Sequence, residues 1–226
     1  MLTKLYAFRA ITAFFAVGFF LVTVGAFRVS ADATMITIDL PDSGLAAYPG
    51  PYATVTINRT SSTQATVTFT ADSNSQYQYL MGGNDAVDLN VNGTYSVGSI
   101  SETKLSGFST ATTSVGTNDN VDGFGHFNLN LSNSDGFTSS ATVISFVLTA
   151  TGATTWLTAS SVLAPNASKH DAAIKAFACS EPCLSTETAV PGGFASNSPE
   201  PASMLLFGTG LLAIGTVVRR RRLTAA

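Results

Sequence analysis

Hydrophobic and polar residues alternate along most of the chain between residues 34 and 163, with an apolar residue at every second position. The clearest examples are residues 52–58 (YATVTIN), 65–70 (ATVTFT) and 142–149 (TVISFVLT). A period of two is typical of strands that bury one face, because successive side chains point to opposite sides of a sheet. The same pattern predicts further strands at residues 34–40, 76–81, 86–91, 95–100, 125–131 and 155–163.

The strand-like segments follow one another without a helical period of more than one or two turns between them. Gly, Asn, Asp and Ser separate them at short intervals, and residues 59–63 (RTSST) are typical of a hairpin loop. Many short strands connected by turns favour an antiparallel arrangement. We therefore expect an all-β domain at residues 34–185, an antiparallel β-sandwich of jelly-roll-like type.

The C-terminal part of the chain has a different pattern. Pro199, Glu200 and Pro201 precede 17 uncharged residues, 202–218, which would form about 25 Å of helix. The run ends in four arginines, Arg219, Arg220, Arg221 and Arg222. Such a segment predicts a transmembrane helix whose basic end stays in the cytoplasm as a stop-transfer signal. A buried core helix is the alternative, although core helices rarely end in four arginines.

This order of Pro-Glu-Pro, short apolar helix and arginine cluster resembles the PEP-CTERM sorting signal of Gram-negative bacteria. The resemblance covers residues 199–226 only. It implies that exosortase is a partner, because this transpeptidase is thought to cut such proteins near the Pro-Glu-Pro. It also implies that the uncut chain sits transiently in the inner membrane. The resemblance describes how a protein is sorted and gives little about the sorted domain.

The N-terminal residues 1–33 are typical of a secretory signal peptide. Lys4 and Arg9 are followed by an uncharged run at residues 10–27. Ala31 and Ala33 then form the small-x-small pattern that signal peptidase recognises, and we expect cleavage after Ala33. The uncharged run is longer than usual, so an uncleaved anchor is the alternative. Export is expected in either case.

Removing the two terminal segments changes the charge. Residues 34–198 hold twelve acidic and four basic residues, a net charge of −8, whereas the whole chain has −3. An acidic module that is poor in Lys and Arg does not favour nucleic acid as a partner. Small and polar residues at 186–198 predict a flexible linker before the sorting segment.

The two cysteines of the chain, Cys179 and Cys183, flank a Glu-Pro turn. In an oxidising compartment we expect them to form a disulfide that closes the last hairpin. A zinc site needs four ligands, and a thioredoxin-like site needs a C-x-x-C spacing, so neither fits. No cofactor is predicted.

Two loops contain residues that bind calcium in other proteins. Residues 82–85 (GGND) are similar to a single calcium repeat, and residues 118–123 (NDNVDG) are similar to the start of an EF-hand loop. The second loop has Leu129 where an EF-hand requires a bidentate Glu. Turn chemistry also explains Asn, Asp and Gly at both places. Whether calcium binds stays open.

Enzymatic chemistry has little support in the sequence. The two histidines, His126 and His170, are not arranged as in a catalytic triad, and no G-x-S-x-G, H-E-x-x-H or phosphate-binding Gly-loop motif is present. Asp85 and Asp88 are the nominal carboxylate pair for glycoside hydrolysis. We expect that the protein is not an enzyme.

Polysaccharide binding is the alternative function. Four aromatic residues could supply stacking surfaces for sugar rings, although a single Trp in a β-sandwich is more often part of the core. They are Tyr77, Tyr79, Tyr95 and Trp156. The preferred hypothesis is an exported, non-enzymatic structural protein of the cell surface or extracellular matrix, as found in biofilms. In the alternative, the same domain binds exopolysaccharide.

Overall fold

The computed structural model describes residues 32–110, 113–133 and 136–198. The predicted all-β class is confirmed. Of the described residues, 52% lie in strands and 4% are helical, and the strands pair antiparallel. In chain order the strands are β1 (Asp32–Ile38), β2 (Leu40–Pro41), β3 (Ala53–Ser61), β4 (Gln64–Ala71), β5 (Tyr77–Met81), β6 (Val87–Leu89), β7 (Tyr95–Thr103), β8 (Thr113–Gly116), β9 (Asp119–Val121), β10 (Gly125–Phe127), β11 (Leu129–Asn133), β12 (Val143–Ala150), β13 (Ala172–Ser180) and β14 (Gly192–Ser196). Two short 3-10 helices cover Phe137–Ser139 and Ala159–Val162.

The strands form two large sheets. The five-stranded sheet has the order β1-β3-β4-β12-β7, and the seven-stranded sheet has the order β2-β14-β13-β6-β11-β8 with β5 also paired to β13. Strands β9 and β10 form a separate two-stranded hairpin. Because every pairing is antiparallel, short turns connect many of the neighbours.

The inner faces of both large sheets contribute to one hydrophobic core. Val67 and Phe146 come from the five-stranded sheet, and Leu131 and Ile174 come from the seven-stranded sheet. The alternation in β4 places Ala65, Val67, Phe69 and Ala71 inside, as the period of two predicts. Phe69 and Phe146 stack with ring centroids 6.4 Å apart.

A second, smaller cluster lies under the β9–β10 hairpin. Val121, Phe124 and Phe127 pack there against Ala173 of β13, with Phe194 of β14 at the edge. The hairpin thus covers part of the seven-stranded sheet on the face away from the main core. The candidate site of this protein lies under this cover.

The predicted strand at residues 155–163 is wrong. Trp156 is fully buried in a loop, where its indole N–H donates to the backbone oxygen of Asn92 at 2.9 Å. The following residues form the 3-10 helix Ala159–Val162 instead. Thr158 and Ser161 cap it reciprocally, each side chain accepting from the other's backbone N–H.

Candidate functional site

The N-terminal end of the described domain is fixed by Asp32, the first residue of β1. Its Oδ1 lies 3.5 Å from Nε of Arg59, its register partner on β3. Its Oδ2 accepts the backbone N–H of Ala159 at 2.8 Å. Arg59 is only 8% exposed and also donates to the backbone oxygen of Leu157 at 2.6 Å. Asp32 therefore compensates a buried guanidinium charge.

This geometry bears on the predicted signal-peptide cut. Ala33 lies inside β1, and a cut after it would remove Asp32 and leave Arg59 without its carboxylate partner. Ala31, the other residue of the predicted cleavage pattern, lies outside the described residues. The contacts of Asp32 favour a mature chain that still contains it.

At the other end of the domain, the structure corrects the predicted linker at residues 186–198. Residues 192–196 form β14, which pairs with β13 over five residues and with β2 over two. Small residues are required there because the backbone approaches Gly44 and Asp42. A Cβ added to Gly193 would lie 2.4 Å from the carboxylate of Asp42 and 3.0 Å from the Cα of Gly44. The composition that predicts a linker is here the consequence of close packing.

The two residues after β14 are also held. The side-chain oxygen of Asn197 accepts the backbone N–H groups of Asp171 at 2.9 Å and Ala172 at 3.1 Å. Asp39 accepts the backbone N–H of Ser198 at 3.2 Å and its hydroxyl at 2.9 Å. The folded domain therefore continues to residue 198, directly before the predicted sorting segment.

Comparison with known families identifies the segment after the domain. Residues 199–222 match the family model of the PEP-CTERM protein-sorting motif. The chain carries a PEP-CTERM sorting motif. No curated protein and no solved structure matches the chain.

The PEP-CTERM motif implies exosortase as the processing partner, and it implies export with a membrane-anchored C-terminal signal. The residues predicted for these roles lie outside the described part of the chain: Pro199, Glu200, Pro201, Arg219, Arg220, Arg221, Arg222 and the predicted helix 202–218. Among residues 32–110, 113–133 and 136–198, no helix has the length and apolar character needed to cross a membrane.

The predicted disulfide is confirmed. Cys179 and Cys183 are bonded, with their Cα atoms 5.4 Å apart, at the point where β13 ends. The carboxylate of Glu187 accepts the backbone N–H of Leu184 at 3.2 Å beside this loop. The bond lies at the start of the connection from β13 to β14. These two strands form the last hairpin, which is where the sequence predicts the disulfide.

Asp119 of the second calcium-like loop is close enough to Asp85 of the first to contribute to the raised pKa of Asp85. The side-chain amide of Asn130 donates to Asp85 and to Asp88, the latter at 3.1 Å. We call Asp85, Asp88 and Asn130 the polar cluster. Leu129, at the twelfth EF-hand position, is buried in β11 and cannot bind an ion there.

The electrostatics of this cluster are unusual for an acidic surface protein. Burial raises the pKa of Asp88 well above its usual range, against the lowering effect of the Asn130 hydrogen bond. Burial, and then the neighbouring Asp119, raise the pKa of Asp85 to about 6. Sequence reasoning named Asp85 and Asp88 as a nominal pair but missed Asn130, whose position opposite Asp88 follows only from strand pairing.

The aromatic residues proposed for sugar stacking do not form an exposed platform. Trp156 and Tyr79 are fully buried, and the Tyr79 hydroxyl donates to the backbone oxygen of Pro49 at 2.5 Å. Tyr77 is half-buried and packs edge-on against Tyr48, with centroids 5.1 Å apart. Tyr95 is also half-buried and uses its hydroxyl for a backbone contact.

The two histidines lie in different environments. His126 is exposed on β10. His170 is buried, with Nδ1 2.8 Å from the backbone oxygen of Asn197 and its ring edge-on to Phe124. The contacts of His170 give it a role in holding the domain's C-terminal end.

Proposed function

We propose that this protein is exported, held in the inner membrane by its C-terminal segment, and cut by exosortase near Pro199, Glu200 and Pro201. The mature domain then reaches the cell surface or the extracellular matrix. The observation that carries this proposal is the PEP-CTERM match at residues 199–222, directly after a folded β domain. The disulfide supports an oxidising compartment outside the cytoplasm.

The mature domain acts as a non-enzymatic structural module, a sandwich of jelly-roll-like type. Two features support this role. The ring nitrogen of His170 contacts a backbone oxygen, and Asp88, one of the nominal hydrolase carboxylates, is fully buried beneath a hairpin. A buried carboxyl group cannot reach a glycosidic bond of a polymer.

Binding of exopolysaccharide stays a prediction with less support, because two of its four aromatic residues belong to the core. Affinity electrophoresis of the mature protein in gels that contain exopolysaccharide tests it. A loss of mobility relative to a gel without polysaccharide would favour the binding role.

The processing proposal is tested with two variants that change different parts of the motif. Glu200→Gln removes the one carboxylate between the prolines, so we expect uncut chain that is still inserted in the membrane. Replacing Arg219, Arg220, Arg221 and Arg222 by Gln should weaken retention instead, and uncut chain should leave the membrane fraction. Intact mass and membrane fractionation of an epitope-tagged protein separate these results. Wild-type chain that keeps residues 202–226 in a host with exosortase would contradict the proposal.

A further inference from the structure

A cavity lies at the margin of the sandwich where the two large sheets end. β7 is the last strand of the five-stranded sheet, and β8 is the last strand of the seven-stranded sheet. The cavity has a volume of about 420 Å³, within the range of roughly 300–1,000 Å³ that is typical of small-molecule sites. Both strands and the connection between them line it, with Ile100, Glu102, Lys104, Phe108, Thr110 and Thr113.

An ion pair lies on the core-facing side of this margin. Ile100 of β7 packs against the main core, and Glu102 and Lys104 follow it at alternate positions on the same side of the chain. The Lys104 ammonium lies 3.0 Å from the Glu102 carboxylate, and the two side chains are only 12% and 10% exposed. Apolar residues can often replace such a buried pair without loss of stability. The pair beside the cavity therefore indicates a ligand that needs polar partners.

Further contacts hold both charged groups in place. The Thr113 hydroxyl donates to the Glu102 carboxylate, and Lys104 donates to the backbone oxygen of Ser139. The contacts among the described residues use two of the three N–H groups of Lys104, and they leave acceptor positions open on Glu102. Thr110 adds an exposed hydroxyl to the lining. The cavity thus offers a hydrogen-bond donor and an acceptor next to each other.

An aromatic ring forms another part of the lining, and its position is fixed by the fold. Phe108 is buried with its ring edge-on to Phe137, at a centroid distance of 5.2 Å. The next residue, Ser109, donates its backbone N–H to the backbone oxygen of Thr138 at 2.8 Å. Because these contacts are present without a ligand, binding does not have to order this wall.

The chemistry of the lining limits the class of ligand. The ion pair is neutral overall, so it favours neither a cation nor an anion. A donor beside an acceptor matches two neighbouring hydroxyl groups, each of which can donate and accept, and the apolar lining matches the C–H face of a sugar ring. The net charge of −8 on residues 34–198 opposes an anionic polymer.

We propose that this cavity binds a sugar unit of a neutral polysaccharide. Two neighbouring hydroxyl groups of the sugar contact Glu102 and Lys104, and its ring lies against Phe108. Thr110 is exposed, so the cavity opens to solvent beside it, and the polymer can continue there. The inference rests on the exopolysaccharide-binding alternative for the mature domain, and it gives that role a site other than the four aromatic residues predicted from the sequence.

Affinity electrophoresis of the exported protein in native gels tests the site. The gels contain dextran, galactomannan or the neutral exopolysaccharide fraction of the producing cells, and alginate represents anionic polymers. We expect retardation by at least one neutral polymer and none by alginate. The double variant Glu102→Gln/Lys104→Met removes both charges together, so neither is left unpaired. It should raise the Kd for the retarding polymer by about tenfold or more, because hydrogen bonds to charged groups are lost.

Two further variants make the comparison specific. Glu181→Gln/Lys169→Met is the matched control, because it removes the same two charges from exposed positions that do not line the cavity, and it should bind as the wild type does. Thr110→Val changes one exposed hydroxyl and should raise the Kd by about threefold or more. This variant decides the test if thermal unfolding shows that Glu102→Gln/Lys104→Met is not folded.

Three results would overturn the proposal, and each has a different meaning for the binding role. Equal retardation of the wild type, Glu102→Gln/Lys104→Met and Thr110→Val by a neutral polymer would keep polysaccharide binding but exclude this cavity as its site. Wild-type protein that no polymer retards would exclude both the binding role and the site. Retardation by alginate alone would show that the ligand is anionic.

Discussion

Among the residues that the structure describes, Arg59 and Asp88 are buried charged groups, and their surroundings differ at the level of single atoms. The guanidinium of Arg59 has a carboxylate 3.5 Å away and donates to a backbone oxygen, although its Nε and Nη1 atoms have no hydrogen-bond partner. Asp88 has a hydrogen bond on one oxygen only. A buried charge without compensation is costly, so burial favours the protonated form of Asp88. This difference gives each residue its own testable consequence.

We expect the protein to lose stability as the pH rises from 4 to 7. The folded pKa values of Asp88 and Asp85 are raised, so the native state binds more protons than the unfolded state above pH 4. Stability is then highest below the unfolded pKa and falls through the folded pKa, by about 1 kcal/mol per pH unit for fully buried Asp88. Urea unfolding at several pH values measures this slope.

Asp88→Asn should flatten that dependence because Asn does not titrate, and Asp122→Asn should leave it as in the wild type. An equal slope in wild type and Asp88→Asn would show that other groups control the pH response.

The contacts of Asp32 predict that the exported chain begins at this residue, with signal peptidase cutting after Ala31. A chain that begins at Thr34 would lack the partner of Arg59 and the acceptor for the Ala159 N–H, which would cost about 1–3 kcal/mol. N-terminal sequencing of the exported protein identifies the first residue. A start at Thr34, together with unchanged stability of a chain that lacks Asp32, would contradict this prediction.

At the level of elements, the alternating pattern predicted the long strands well and the short ones poorly. Strands β3, β4 and β12 lie within two or three residues of their predicted positions, because each buries one face over seven or more residues. Strands β8 and β9 have four and three residues, too few to show a period. Strand β14 was missed because its small residues are also typical of linkers.

The candidate site shows the same limit. Both of its loops stand out in the sequence as Asn, Asp and Gly clusters, yet turn chemistry explains each of them alone. The link from Asp85 to Asp88 through Asn130 depends on the pairing of β6 with β11, which a local pattern does not encode. The burial of Asp88 was also hidden, because in a three-residue strand one polar residue normally faces solvent.

The role of β14 as part of the sheet predicts that Gly193→Ala destabilises the domain. The new Cβ would meet the Cα of Gly44 at 3.0 Å and the Asp42 carboxylate at 2.4 Å, and the Gly44 backbone cannot move without disturbing the sheet edge. We expect a loss of about 1–3 kcal/mol in the free energy of unfolding, measured by urea denaturation.

Gly98→Ala is the control for this substitution. Gly98 lies in β7, and its added Cβ would meet Val147 at an ordinary 3.5 Å. The free energy of unfolding of the Gly98→Ala variant should stay within about 0.5 kcal/mol of the wild type or rise slightly. If both variants were equally stable, Gly193 would not be closely packed, and the prediction of a linker at residues 192–198 would stand.

At the scale of the whole molecule, processing depends on how closely the sorting motif follows the folded domain. Hydrogen bonds from Asp39 hold Ser198, the residue directly before Pro199. Under the proposed processing, exosortase must reach a peptide bond next to the edge of a sheet. Extended peptide segments bind in enzyme clefts only when they are free of their own fold, so the last held residues have to detach first.

This arrangement predicts that added chain length accelerates processing. Eight Gly and Ser residues inserted between Ser198 and Pro199 remove the need to break the two hydrogen bonds from Asp39, each worth about 0.5–1.5 kcal/mol net. We therefore expect cleavage to become about fivefold faster or more in a pulse-chase experiment with exosortase present. Asp39→Ala should act in the same direction, because it removes the same two hydrogen bonds.

The same eight residues inserted between Thr188 and Ala189 serve as the control. This insertion in the exposed loop before β14 lengthens the chain without freeing Ser198 and should leave the rate unchanged. Equal rates for both insertions would mean that the domain edge does not limit access, and that recognition depends on the motif and its membrane segment alone.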